Sequence, residues 1–158
     1  MTNDRPVRPA QARAVWDVVR RSRVVLAGSC SVKGRPFCTP VWFVVDRHAV
    51  YLTTGGGSWL GRNVLANPEV TLLFGGEAAG SAGAFVQVRG TATIHEGMVP
   101  ARLLAALALK YYVPPRAATS ELSHLRQWPV RGRYYRQAPG PVGYVRVVPT
   151  SARLLHVG

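Results

Sequence analysis

A mainly β fold with flanking helices, α+β in content and closed into a barrel, is what this sequence predicts. Three observations predict it. Short apolar or alternating runs recur between turn residues, at Val24–Ala27, Phe37–Val45, Val50–Thr54, Val70–Phe74, Phe85–Ile94 and Gly143–Val148. The strands are short and largely hairpin-linked, with Lys33-Gly34 and Asp46 to Ala49 as turns. Closing such a sheet removes the free edges that otherwise pair with other chains.

The elements follow in order. Residues 1–10 are polar with two prolines, a loose arm. Ala12, Val15, Trp16 and Val19 then mark one face of a helix from Gln11 to Arg21, with Trp16 expected as a core anchor. The second strand carries Pro40-Val41-Trp42-Phe43-Val44-Val45, apolar on both faces, and so reads as covered on both sides. Gly75 to Ala84 is a small-residue loop. The fifth strand alternates strictly, with Val86, Val88, Ala92 and Ile94 inward and Gly90 as a bulge or close approach. Leu103, Leu104, Leu107, Ala108 and Tyr111 form the stripe of a helix over Met98–Val113, stopped by Pro114-Pro115. Residues 114–141 form an irregular connector, with a short helix at Thr119–Gln127. The last strand, Gly143–Val148, is followed by an extended Ser151–Val157.

With 158 residues, 47% of them hydrophobic, one domain over 1–158 with a sizeable core is expected. No run of about 20 apolar residues is present, and no apolar segment follows the first charges, so the expected compartment is the cytoplasm. The formal charge is +13, and 18 of the 20 basic residues are arginine. The abundance of Arg, Ala, Gly and Val is that of a GC-rich bacterial genome. Such a surface attracts polyanions, yet no helix-turn-helix, zinc-finger or RNA-recognition signature accompanies it, so nucleic acid is not the expected partner. Cys30 and Cys38 flank the first hairpin turn and are expected as two buried thiols.

The stretch that carries chemistry is Thr53 to Pro68. A strand runs into Gly55-Gly56-Gly57, and Ser58 is placed to cap a helix over Ser58–Ala66 that Asn67-Pro68 ends. A glycine turn feeding a helix start offers unpaired N–H groups and the positive end of the dipole, which is an anion site. Arg62, one turn on, adds a fixed charge. No nucleophile–base set is visible: His48, His95, His124 and His156 are scattered, and the seven carboxylates form no acid/base pair. Catalytic residues are therefore unassigned, and no metal-ligand pattern is present. That absence suits a redox protein whose coenzyme carries the hard step.

The segments GRPFCTPVWFVVD (34–46), VYLTT (50–54), SWLGRNVLANPEVTLLF (58–74), VRGTATI (88–94) and GYVRVVP (143–149) together resemble the pyridoxamine 5'-phosphate oxidase-like flavin-binding split-barrel family. The resemblance implies a six-stranded split β-barrel of Greek-key type with flanking helices. It implies a homodimer with a cofactor site at each interface. The cofactor would be FMN or the deazaflavin coenzyme, with haem as an outside possibility. It assigns Ser58, Trp59, Arg62 and Asn63 to the phosphate region, and Pro40, Val41, Trp42, Thr53 and Thr54 to the ring and ribityl chain. Apart from the resemblance, the connector's aromatic residues read either as core and dimer interface or, with Trp128, Arg131 and Arg133, as a lid over substrate or cofactor contributed by the partner chain. Many members carry a lysine where Leu60 stands here, so one phosphate cation is missing. The implied activity is hydride transfer between the cofactor and a small unsaturated or carbonyl-type substrate. The alternative is a flavin- or haem-binding carrier or sensor without turnover.

Overall fold

The computed structural model describes residues 9–75, 84–111 and 143–156. Along the chain these are α1 (Pro9–Arg21), β1 (Val24–Cys30), β2 (Pro36–Asp46), β3 (Ala49–Leu52), α2 (Trp59–Ala66), β4 (Glu69–Phe74), β5 (Ala84–Glu96), α3 (Ala101–Tyr111) and β6 (Gly143–His156). The strands close into an antiparallel barrel in the order β1-β2-β3-β6-β5-β4, with β4 returning to β1 through Leu26↔Leu73 to Gly28↔Thr71. The chain thus skips from β3 to β4 and inserts its last strand between β3 and β5, a Greek-key connection.

Alternation in the strands fills the barrel. Val25, Ala27, Phe43, Leu52, Leu72, Phe74, Val86, Val145 and Val147 are all buried inside, and the rings of Phe43 and Phe74 meet edge-on at 5.0 Å. Two helices add to the same core: α1 through Val15, Val18 and Val19, and α2 through Leu60 and Val64. The third packs outside, where Leu103, Leu107 and Tyr111 of α3 cover Val44, Trp42 and Tyr51. Gly90 is a steric requirement. A Cβ there would lie 2.6 Å from the carbonyl oxygen of Val148 and 2.7 Å from a Val147 methyl. The β5–β6 register shifts at this point, from Arg89↔Ser151 to Gly90↔Pro149.

Several expectations need correction. Trp16 is 39% exposed, because α1 turns Val15, Val18 and Val19 inward and Trp16 lies off that stripe. On α3, Leu104 and Ala108 face out while Ala106 packs inward with Leu103 and Leu107, so the stripe is rotated. The first half of β2 is not doubly covered: Pro36, Cys38 and Pro40 are exposed, since α3 reaches only as far as Trp42 and Val44. The thiols are not both buried; Cys38 is exposed and Cys30 intermediate, and they face Gly28 and Pro36 rather than one another. β3 ends at Leu52, because the Thr54 N–H folds back to the Leu52 carbonyl and bends the chain. The expected arm gives up Pro9 and Ala10 to α1, and β6 runs unbroken through Pro149. The loop at 76–83, the connector at 114–141 and its short helix lie outside the described residues. Among the described residues no helix is long and apolar enough to cross a membrane.

Candidate functional site: the glycine loop and the start of α2

Ser58 closes the loop on itself. Its backbone is extended (φ −69°, ψ 162°), and its Oγ accepts the Gly61 N–H at 3.0 Å, as an N-cap does. Thr54 donates its hydroxyl to the same oxygen at 2.8 Å, and the Ser58 N–H donates to the Gly55 carbonyl at 3.1 Å. Among the described residues, no protein acceptor takes the N–H groups of Gly56, Gly57, Trp59 or Leu60. These donors cluster where the dipole of α2 is positive.

Gly61 makes this loop possible. A Cβ on it would sit 2.5 Å from the Gly55 carbonyl oxygen and 2.8 Å from Gly56 Cα. The loop therefore lies directly on the first turn of the helix. A glycine inside so short a helix costs about 1 kcal/mol relative to alanine, a local anomaly that signals this approach in the sequence.

Hydrogen bonds link the loop to β2. The Trp42 carbonyl accepts both the Thr53 N–H at 3.0 Å and the Thr53 hydroxyl at 3.2 Å. A path of named groups thus runs from Trp42 through Thr53 and Thr54 to Ser58. On the solvent side, Trp59 is 60% exposed. Its ring stacks on Phe37 at 5.6 Å between centroids, and the Arg62 guanidinium lies over it at 4.1 Å. Phe37 joins the site without any local sequence signal, since only the barrel brings β2 against α2.

Of the expected site residues, Thr53, Thr54, Ser58, Trp59 and Arg62 come together here. Pro40 is exposed on the adjoining strand. Val41 points into the barrel core, and Trp42 stacks on Tyr111 at 4.7 Å beneath α3, so neither side chain faces the loop, which Trp42 meets through its carbonyl. Asn63 turns away: it is buried, and its amide donates to the Ser29 hydroxyl at 3.0 Å, tying α2 to β1. Leu60 is fully buried in the barrel core. Trp128, Arg131 and Arg133 lie outside the described residues, as does His124. His48 is exposed in the β2–β3 turn, and His95 stacks on Tyr144 at 4.9 Å. Among the described residues no three His, Cys, Asp or Glu side chains are grouped to hold a metal.

Residues 12–131 match the family model of pyridoxamine 5'-phosphate oxidase. The chain belongs to that family. Solved structures share its barrel. A candidate pyridoxamine 5'-phosphate oxidase from Listeria innocua aligns at 18% identity and a TM-score of 0.61, over 92% of this chain and 98% of that one. An F420 reductase aligns at 18% identity and 0.57, over 87% and 94%. HutZ, a heme storage protein from Vibrio cholerae, aligns at 14% identity and 0.57, over 91% and 92%. At these identities the likeness is one of fold. No curated protein matches the sequence.

Proposed function

We propose that this chain binds a phosphate-bearing flavin-type coenzyme, FMN or the deazaflavin coenzyme, and acts with it as an oxidoreductase on a small unsaturated or carbonyl-type substrate. One observation carries the proposal: the unpaired N–H groups of Gly56, Gly57, Trp59 and Leu60 lie at a helix start beside the exposed guanidinium of Arg62. These groups fit a phosphate. When bound, the coenzyme ring supplies the hydride chemistry.

The chain's own residues do the rest. Ser58 and Thr54 fix the conformation of the loop. Trp59 holds Arg62 by its ring face. The Pro40–Trp42 backbone and Thr53 line the route along which the ring and ribityl chain extend. Arg62 steadies negative charge near the phosphate. Family membership supports a homodimer working in the cytoplasm, with sites completed by the partner.

A carrier or sensor is the second proposal, and Leu60 favours it. Its side chain faces the core, so the first turn of α2 offers one outward cation, Arg62, instead of two. Similarity to a heme storage protein extends this reading to haem.

The test is a fluorescence titration of the purified protein with FMN and with the deazaflavin coenzyme, preceded by its visible spectrum. Saturable binding that Arg62→Ala weakens about tenfold is expected, the loss of one charged hydrogen bond. A Soret band with no response to either flavin selects haem. Binding without coenzyme-linked turnover selects the carrier.

A further inference from the structure

A groove of about 510 Å³ crosses the outer face of β1, β4, β5 and β6. No residue of the Gly55–Ser58 loop lines it. We infer that this groove is a second anion site, which takes a small organic acid or phosphate between Arg89 and Arg153.

Register brings the two arginines together. Arg89 faces Ser151 and Gln87 faces Arg153 across β5 and β6, so Arg89 and Arg153 are diagonal neighbours on one face, within reach of long side chains. Among the described residues the ion pairs are Asp17–Arg20 and Asp46–Arg102, so neither guanidinium has a carboxylate partner. Two like charges side by side repel, and an anion bridging them removes the repulsion. The hydroxyls of Thr71, Thr91 and Ser151 line the same groove and make no hydrogen bond among the described residues. Thr150 donates to the Arg89 carbonyl at 3.2 Å and braces that strand. The single carboxylate in the lining, Glu69, is paired in register with Thr91 at the edge. Its charge repels an anion at that edge and keeps the acid group at the arginine end.

The volume suits one small molecule rather than a nucleic-acid strand. Pro36, on the outward side of β2, forms the apolar end, so the ligand carries its acid group at the arginines and an apolar body toward Pro36. The inference stands apart from the coenzyme proposal, and Phe37 is the residue the two sites share.

Backbone amide NMR of the intact protein, titrated at constant ionic strength with inorganic phosphate and separately with succinate, tests it. Saturable shifts at Thr71, Arg89, Thr91 and Ser151 are expected with at least one of the two acids, and the tighter one names the acid class. Arg89→Gln and Arg153→Gln should each weaken binding about tenfold, while Arg89→Lys, which keeps the charge, retains most of it. The dispersion of the same spectra reports that each variant is folded. Arg62→Ala separates the sites, since it acts on shifts at Gly56 to Leu60 and not on those at Arg89. Absence of saturable groove shifts with both acids, or shifts that Arg89→Gln leaves unchanged, overturns the inference. Shifts produced by duplex DNA but by neither small acid overturn it as well.

Discussion

The phenolic oxygen of Tyr111 accepts the backbone N–H of Phe43 at 2.9 Å, across 68 residues of chain. The same oxygen lies 2.7 Å from the Arg23 carbonyl and 2.9 Å from that of Phe43. β1 pairs with β2 only up to Val24↔Trp42, so the hydroxyl stands in for the next rung of the ladder. Tyr111→Phe keeps the stack on Trp42 and leaves a buried N–H without its acceptor. It should lower stability by about 1–3 kcal/mol, read from urea denaturation. An unchanged midpoint would mean that water replaces the hydroxyl.

Ser58 allows the cap and the anion site to be separated. Ser58→Ala removes the acceptor of the Gly61 N–H and should cost about 1 kcal/mol. Ser58→Asp keeps a cap of comparable strength while placing a carboxylate where the phosphate is proposed to lie. Thermal unfolding should show a stable Asp variant, and fluorescence titration should show coenzyme affinity reduced at least about tenfold. Normal binding by that variant would count against the phosphate assignment.

Gly61→Ala has an inverted expectation. In an ordinary helix the change stabilises by about 1 kcal/mol. Here the new methyl group meets the Gly55 and Gly56 backbone at 2.5–2.8 Å, so the loop must move. Stability should fall by about 1–3 kcal/mol, and coenzyme affinity should fall with it. Calorimetry of the two proteins side by side gives the sign.

Trp59 should matter for binding and little for folding. Its ring is mostly exposed and stacks on Phe37, so Trp59→Leu should cost at most about 1.5 kcal/mol of stability. It also releases Arg62, whose guanidinium rests on that ring, and affinity for the phosphorylated coenzyme should drop several-fold. Trp59→Phe should restore most of it. Equal affinities for the Leu and Phe variants would show that the stack does not position the guanidinium.

What was legible in the sequence was local. The Ser58 cap, the Asn67-Pro68 stop and the period-two pattern of β5 each depend on neighbours a few residues away, and the structure has them as read. The barrel and its family followed from ordered segments. The failures are matters of rotation and distance. Trp16 and Leu104 sit at the margins of apolar stripes, where sequence spacing leaves the phase of burial undetermined and the curvature of the packed surface decides it. The Phe37–Trp59 stack and the Asn63–Ser29 bond join segments that meet only once the barrel has closed. Whether a residue on the correct segment faces outward or the core, as with Arg62 against Asn63, is likewise a tertiary fact.

The place of β6 in the barrel has a consequence for biosynthesis. It pairs with β3 through Val50↔Val147 and with β5 along nearly its whole length, yet it is synthesised after both of them. Until then β3 and β5 each hold an open edge with no native neighbour to take it. The barrel therefore cannot close until β6 has been made, and its longest ladder, β5 with β6, waits for that strand. A nascent chain of this kind depends on being shielded while it waits, because its unpaired edges are as ready to join another copy as to join their own final strand.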